Sequence, residues 1–195
     1  GLSAKTLNKT KSHLSHFTIW AVEEGYIREN PFERVWFSES VKNAPRKKPR
    51  IVFKPEQLED ILGQAKTFDK SNLYPFLYAL VHLGSRAGET LKLKWDDIDM
   101  DRGVVSFRAE NTKTGEARRV PMSSYLRVFL ETLPRRGDYV FANEKGKLMG
   151  YSTIHGALKR FRLVYPMMRD AGFHSFRHSY ATNCLLNRIP VHAVQ

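Results

Sequence analysis

The sequence lacks several features that would assign it to common classes of protein. Cys184 is the only cysteine, which excludes an intramolecular disulfide or a cysteine-clustered zinc site and fits a reducing cytoplasm. No apolar run approaches the roughly 20 residues that span a bilayer, and the first residues lack the apolar stretch of a signal peptide. No cluster of Asp and Glu residues suggests a metal site. We therefore expect no membrane association, no metal and no cofactor.

Positive charge is what the sequence has in excess. Lys and Arg number 32 against 20 Asp and Glu, which gives a formal net charge of +12. Such a chain attracts nucleic acid without regard to sequence, because Lys and Arg replace the counterions condensed on phosphates. Duplex DNA is thus a natural partner, and the alternative is a globular protein whose charge is incidental. Hydrophobic residues make up 42% of the chain, which is enough for a buried core and argues against a disordered basic tail.

Apolar spacing and turn residues predict a mainly helical α+β chain. An apolar stripe that includes Leu14, Phe17 and Ala21 predicts a first helix ending at Gly25. Pro55 suits the first turn of a second helix. The pattern predicts further helices over 73–83, 123–133 and 153–164 and from Phe173, a β-hairpin from strands 103–107 and 117–121, and a short extended piece over 139–141.

A basic segment separates the first helix from the rest of the chain. Its five positive charges, with no acid among them, are Lys42, Arg46, Lys47, Lys48 and Arg50. We interpret the segment as an exposed linker that follows a DNA backbone. The alternative is a solvated hinge without a ligand.

Two arginines lie where a phosphate could be held. A guanidinium is a planar fork of donors that matches two phosphate oxygens and stays charged at biological pH. Arg86 follows a buried helix, and Glu89 is near enough on the next turn to orient its guanidinium, although an ordinary surface ion pair has the same spacing. Arg177 follows His174 by three residues at a predicted helix N-terminus, where backbone N–H groups favour an anion. The alternative for His174 is a capping or core histidine.

Lys113 lies in the predicted hairpin turn Thr-Lys-Thr-Gly. A lysine on an exposed turn can move into a site and deliver a proton. Lysine is also commonplace at such turns, so this motif alone does not distinguish the two interpretations.

Taken in order, these segments resemble the tyrosine recombinases of the phage integrase family. Residues 80–99 follow the family's Leu-x-x-Gly-x-Arg-x-x-Glu-Leu-like box and its Leu-x-Trp-x-Asp-Ile-Asp extension, with Ser85 and Ala87 as departures. Lys113 matches the family's hairpin lysine, and residues 174–178 match its His-x-x-Arg-His box. The resemblance implies an α+β, mainly helical, integrase-type catalytic domain with a small antiparallel sheet or hairpin.

The resemblance also implies a division of the chain and a set of roles. Residues 1–40 are similar to the end of a helical core-binding domain, 41–52 would be the basic linker, and 53–195 would be the catalytic domain, incomplete at its C-terminus. Arg86 and Arg177 would hold the scissile phosphate of double-stranded DNA and Lys113 would protonate the departing 5′ oxygen. His174 would contact the phosphate or assist proton transfer, and Glu89 and His178 would be supporting residues.

In the intact protein, the resemblance implies site-specific recombination through a 3′-phosphotyrosyl intermediate, carried out by a tetramer on DNA. The family's Leu-Gly-His segment and its nucleophilic tyrosine would follow Gln195, and Tyr180 occupies a position that is usually a core aromatic. We therefore assign no nucleophile and expect the chain to be a fragment that is inactive for cleavage. The alternatives are a type IB topoisomerase-like strand transferase and a non-catalytic DNA-binding or regulatory module.

Overall fold

The computed structural model describes residues 4–35, 50–68 and 72–190, which fall into two compact units, Gly1–Pro49 and Arg50–Gln195. Of the predicted linker, Arg50 is described and exposed. The other four basic residues of the linker lie outside the described residues, namely Lys42, Arg46, Lys47 and Lys48.

The first unit contains helix α1 (Ala4–Glu23) and the turns that follow it. The helix ends just before Gly25, whose φ of 76° reverses the chain direction at little steric cost. The Asn30 side-chain oxygen accepts hydrogen bonds from the Thr18 hydroxyl at 2.6 Å and the Phe32 backbone N–H at 2.9 Å. These bonds fasten the segment after the helix to α1.

The apolar stripe of α1 is only partly covered by the first unit. Ala21 is buried, whereas Phe17 is 60% exposed and Leu14 41% exposed. The rings of Phe17, Trp20 and Tyr26 contact one another in sequence order, with centroid separations of 5.7 and 5.6 Å. The stripe that predicts the helix therefore does not correspond to a buried face of this unit.

The second unit is mainly helical with a small antiparallel sheet, which confirms the expected fold class. In chain order its helices and strands are α2 (Pro55–Phe68), α3 (Leu73–Leu83), α4 (Ala87–Leu91), β1 (Ile98–Asp99), β2 (Val104–Phe107), β3 (Arg118–Pro121), α5 (Ser124–Glu131), α6 (Tyr151–Val164) and α7 (Phe173–Leu186). No helix in the described part of the chain is long and apolar enough to cross a membrane.

Helix α3 is the centre of the core. Leu73, Phe76 and Leu80 on this helix are fully buried. The Phe76 ring makes edge contacts with Phe141, at 5.4 Å between centroids, and with Phe173 at 5.3 Å. Because Phe173 is the first residue of α7, this packing fixes the start of that helix against α3.

The sheet has the order β1-β2-β3, with both pairs antiparallel. Val105 pairs with Val120 and Phe107 with Arg118. Val105 and Phe107 are buried, as the alternation of side chains along a strand requires of a sheet with one face on the core. The predicted hairpin is thus present, joined by a third strand that the sequence did not indicate.

Some boundaries differ from the predicted ones. Helix α5 is shorter at both ends than the predicted 123–133. At its start the Ser123 hydroxyl is the cap, since it accepts the Leu126 backbone N–H at 3.2 Å. The predicted extended piece over 139–141 makes an isolated bridge, in which Tyr139 pairs with Lys94, and is not a full strand.

The two ends of the second unit are joined directly. The Phe53 backbone N–H donates to the Ser179 hydroxyl at 2.8 Å, and the Asn183 side-chain amide donates to the Phe53 carbonyl at 3.3 Å. The Phe53 ring also lies 5.8 Å from the Phe176 ring. The segment that begins at Arg50 is therefore fixed against α7.

Candidate active site

The site begins at Gly84, which ends helix α3. Its φ of 57° is left-handed, and its N–H donates to the Leu80 carbonyl at 3.0 Å. A Cβ at this position would lie 2.1 Å from the Tyr180 ring, so only glycine fits. The Gly84 carbonyl accepts a hydrogen bond from Arg177 Nη1 at 2.7 Å. Gly84 therefore turns the chain toward Arg86 and also holds Arg177.

Arg86 is the N-cap residue of the short helix α4. Glu89 Oε2 accepts the Arg86 backbone N–H at 3.1 Å, and Glu89 Oε1 accepts from Arg86 Nη1 at 2.7 Å. The Glu89 side chain is 3% exposed, whereas that of Arg86 is 32% exposed. The Glu89 carboxylate thus caps α4 through the Arg86 backbone N–H and also orients the Arg86 guanidinium, which an ordinary surface ion pair would not do.

Arg118 is a member of this cluster that sequence reasoning did not single out. Its Nη2 donates to Glu89 Oε2 at 2.6 Å, and its guanidinium lies 4.4 Å from the centre of the Phe107 ring. Arg118 and Phe107 are directly paired across the hairpin. The signal that identifies Arg118 is therefore the strand register, which depends on the length of the intervening turn.

The charges of the cluster do not cancel. Burial raises the pKa of Glu89, but hydrogen bonds from Arg118 and Arg86 outweigh that effect, so its pKa lies below the ordinary range and the carboxylate is ionised. Burial and then the charges of Arg86 and Arg118 lower the pKa of Arg177, while Glu89 acts in the opposite sense. Two guanidinium groups pair with one carboxylate and a third, that of Arg177, is bonded to a carbonyl, which leaves an excess of positive charge.

Further basic side chains lie near the start of α7: His174, Arg177 and His178 belong to this helix, and Arg50 lies in the segment before α2. Burial lowers the pKa of the His178 imidazole, and the charges of Arg50, His174 and Arg177 lower it further. The neutral form of His178 is therefore favoured. His174 itself is exposed and makes no hydrogen bond or ion pair with another residue in the described ranges.

Lys113 lies in the turn that precedes β3 and is exposed. The Thr112 hydroxyl donates to the carbonyls of Ala109, at 3.0 Å, and Glu116, at 2.9 Å, which shapes the turn. Gly115 supplies the left-handed residue with a φ of 73°. Among the described residues nothing forms a hydrogen bond or ion pair with the Lys113 amine. The amine is therefore exposed and is not bonded to the residues of the arginine cluster.

Tyr180 is the tyrosine that packs against this cluster. Its ring lies against Gly84, and burial together with the neighbouring Cys184 thiol raises its pKa. A raised pKa disfavours the phenolate.

Nowhere in residues 4–35, 50–68 and 72–190 do three His, Cys, Asp or Glu side chains form a group that could hold a metal ion.

Comparisons with known proteins agree on one family. The model of the phage integrase family matches residues 52–195. The tyrosine recombinase XerC of Xanthomonas axonopodis pv. citri is 26% identical over the whole chain, which spans 63% of that protein. The shufflon-specific DNA recombinase of Escherichia coli is 32% identical over 84% of the chain, which corresponds to 39% of that protein.

Solved structures of similar fold include two integrases in complex with DNA. The Tn1549 transposon integrase bound to a circular intermediate DNA covers the whole chain with a TM-score of 0.81 at 22% identity, and the chain covers 71% of it. A lambda integrase dimer bound to a core site covers 93% of the chain with a TM-score of 0.71 at 20% identity, and the chain covers 52% of it. At these identities the similarity shows a shared fold.

Proposed function

Since this chain belongs to the phage integrase family of tyrosine recombinases, we propose that it binds duplex DNA and holds a scissile phosphate between Arg86 and Arg177. In the intact protein this grip serves site-specific recombination, in which strands are cut and rejoined. The chain spans less than two thirds of the XerC protein that it resembles, so the reaction of the whole protein is part of the proposal.

The observation that carries the proposal is the convergence of two guanidinium groups from distant parts of the sequence. Arg177 Nη1 is bound by the Gly84 carbonyl, and Arg86 Nη1 by Glu89. Each bond occupies one nitrogen and leaves donors on the other two for a phosphate. Because the groups are preorganised and partly removed from water, they stabilise an anion more strongly than mobile surface arginines would.

The proposed chemistry is phosphoryl transfer by covalent catalysis. A tyrosine hydroxyl attacks the phosphorus and becomes joined to the 3′ end, while the bond from phosphorus to the 5′ oxygen breaks. Arg86 and Arg177 stabilise the charge that grows on the non-bridging oxygens, each contributing about 3 kcal/mol if they resemble oxyanion-hole donors. Lys113 protonates the departing 5′ oxygen, and His174 contacts the phosphate or assists that transfer.

We further propose that the nucleophile lies outside this sequence and that the intact protein works as a tetramer on paired DNA sites. Packing of the half-buried Tyr180 ring against Gly84 supports its assignment as a structural residue. The basic linker, which includes Arg50 and joins the core-binding domain to the catalytic domain in sequence, would follow the DNA backbone.

Salt dependence of binding tests the DNA-binding part of the proposal. We expect the affinity of the chain for a DNA duplex, measured by gel shift, to fall steeply between about 50 and 200 mM salt, because each phosphate contact releases counterions. Arg86→Ala should weaken binding further at every salt concentration. An affinity that does not change with salt contradicts the proposal.

Trapping of a covalent adduct tests the assignment of the nucleophile. On a nicked suicide substrate, the 195-residue chain should form no denaturant-resistant DNA adduct. A longer protein that includes the downstream tyrosine should form one. An adduct of the 195-residue chain that disappears in Tyr180→Phe would show that Tyr180 is the nucleophile and that our assignment is wrong.

A further inference from the structure

We propose that Arg118 is a positioning residue, which sets the place of the Lys113 turn relative to Arg86 through their shared partner Glu89. The inference rests on the proposed function, since it assigns Arg118 a task in the same phosphoryl transfer. It adds a third arginine to the site, one that acts through Lys113 and does not itself grip the phosphate.

The first step of the argument is that one carboxylate holds both segments. Glu89 Oε1 lies 2.7 Å from Arg86 Nη1, and Glu89 Oε2 lies 2.6 Å from Arg118 Nη2. The Glu89 side chain is 3% exposed, so solvent does not compete effectively for either oxygen. Helix α4 and strand β3 are thereby joined at a single buried point.

The second step is that the Arg118 side chain is fixed on two sides. Its guanidinium lies over the Phe107 ring, 4.4 Å from the centroid, while its Nη2 is bound by Glu89. Its side chain is 24% exposed. A guanidinium that is stacked on an aromatic ring and bonded at its edge has little freedom to move, unlike the exposed Lys113 amine.

The third step is the place of Arg118 in the hairpin. It is the first residue of β3, and it pairs with Phe107, the last residue of β2. The Lys113 turn lies between these two residues, so the Arg118 contact closes the base of the loop that carries Lys113. Loss of this contact frees the end of the loop from α4 without removing any group from the phosphate grip.

Proton transfer is sensitive to such a change. A general acid must come within about 2.6 to 3.2 Å of the atom that it protonates, and a misplacement of about 1 Å is enough to cost on the order of 100-fold in rate. In the reaction, the tyrosine hydroxyl releases its proton to water as its oxygen bonds to phosphorus, the bond from phosphorus to the 5′ oxygen breaks, and a second proton passes from Lys113 Nζ to that oxygen. If sulfur replaces the 5′ oxygen, it leaves as a thiolate, a much weaker base that needs no proton.

This difference defines the experiment. Single-turnover cleavage is measured with the longer protein that carries the nucleophilic tyrosine, on a 5′-oxygen substrate and on a 5′-bridging phosphorothiolate substrate. We expect Arg118→Ala to be about 100-fold slower on the oxygen substrate and close to wild type on the sulfur substrate. Lys113→Ala should show the same pattern, and the variant that combines Arg118→Ala with Lys113→Ala should be no slower than Lys113→Ala alone. Arg118→Lys should recover part of the cleavage rate that Arg118→Ala loses.

Two controls separate positioning from general effects of charge. Arg119→Ala removes the same charge from the adjacent, exposed position of β3 and should leave the ratio of the two rates unchanged. Arg86→Ala should slow both substrates, because phosphate stabilisation is needed whichever group leaves. If Arg118→Ala lowers the temperature of thermal unfolding markedly, Arg118→Gln takes its place, since it retains part of the side-chain stem over Phe107.

The outcomes are distinct. If Arg118→Ala is slowed equally on both substrates, Arg118 acts on the phosphate or on the fold. If its rate on the oxygen substrate is unchanged, Arg118 does not contribute to cleavage. Either result overturns the inference while the proposed function stands. A wild-type protein that cleaves neither substrate overturns the proposed function, and the inference with it.

Discussion

The candidate site has a buried half and an exposed half, and they are built differently. The buried half is built on the buried Glu89 carboxylate and includes the partly exposed Arg86, Arg118 and Arg177, and in it each guanidinium is bonded to a carboxylate or carbonyl oxygen. The exposed half consists of Lys113 and His174, which lie at the surface. The fold thus fixes the arginines of the proposed phosphate grip by hydrogen bonds, whereas no described residue forms a hydrogen bond or ion pair with the side chain of Lys113 or His174.

The largest effect on stability should come from the carboxylate of the buried half. Glu89→Ala leaves Arg86 and Arg118 without their shared partner in a region where water cannot fully replace it, so we expect the free energy of unfolding to fall by about 3 kcal/mol. Urea denaturation measures it. Glu131→Ala is the control, because its 3.8 Å contact with Arg127 is solvent-exposed and should contribute less than about 0.5 kcal/mol. Equal losses in the two variants would show that burial does not distinguish these ion pairs.

The next effect concerns the Gly84 turn, which precedes Arg86 and accepts the hydrogen bond from Arg177. Gly84→Ala places a methyl group against the Tyr180 ring in a left-handed conformation, so we expect a loss of about 2 kcal/mol or more. Gly63→Ala, in α2, has no heavy atom within 4 Å of the added Cβ and should raise stability by up to about 1 kcal/mol. Thermal unfolding of the two variants should therefore shift in opposite directions.

A smaller effect appears on acidification. The pKa of Glu89 is lowered in the folded protein from its ordinary value of 4.5, so its stabilisation is complete above that value and is lost as the pH falls through the folded pKa. The difference in unfolding free energy between wild type and Glu89→Gln should be constant from pH 8 to pH 6 and should shrink below about pH 5. Because both proteins retain His178, its own titration cancels in the difference. Parallel curves down to pH 3 would show that Glu89 is not coupled to folding in this way.

The smallest expected effect belongs to the exposed half. Lys113→Ala and His174→Ala should each change the free energy of unfolding by less than about 0.5 kcal/mol, because neither side chain is buried or bonded to another described residue. The same urea measurements apply. A loss as large as that of Glu89→Ala in either variant would remove the distinction between the two halves.

The sequence predicted best those features that depend on local chemistry. Helix α3 begins and ends where predicted, because an apolar run ends at a glycine that can adopt the left-handed conformation. The proximity of Arg86 and Glu89 also follows from helical spacing, although the carboxylate caps the helix as well as pairing with the side chain.

Features that depend on pairing between segments could not be predicted in the same way. Strand β1 has two residues, Ile98 and Asp99, too few to show an alternating pattern, and it exists because β2 lies beside it. Arg118 is followed by the equally basic Arg119, and only the register with Phe107 places Arg118 against Glu89. The hydrogen bond from Arg177 to Gly84 likewise depends on the packing of α7 on α3.

The bond between Arg177 and Gly84 also has a consequence for the order in which the protein is made. The two residues are 93 positions apart, and Phe53 and Ser179 are 126 apart. At a synthesis rate of about 5 to 20 residues per second, a nascent chain carries Arg86 for roughly 5 to 20 seconds before Arg177 exists. The proposed two-armed phosphate grip therefore forms only after α7 has been synthesised and has packed against α3.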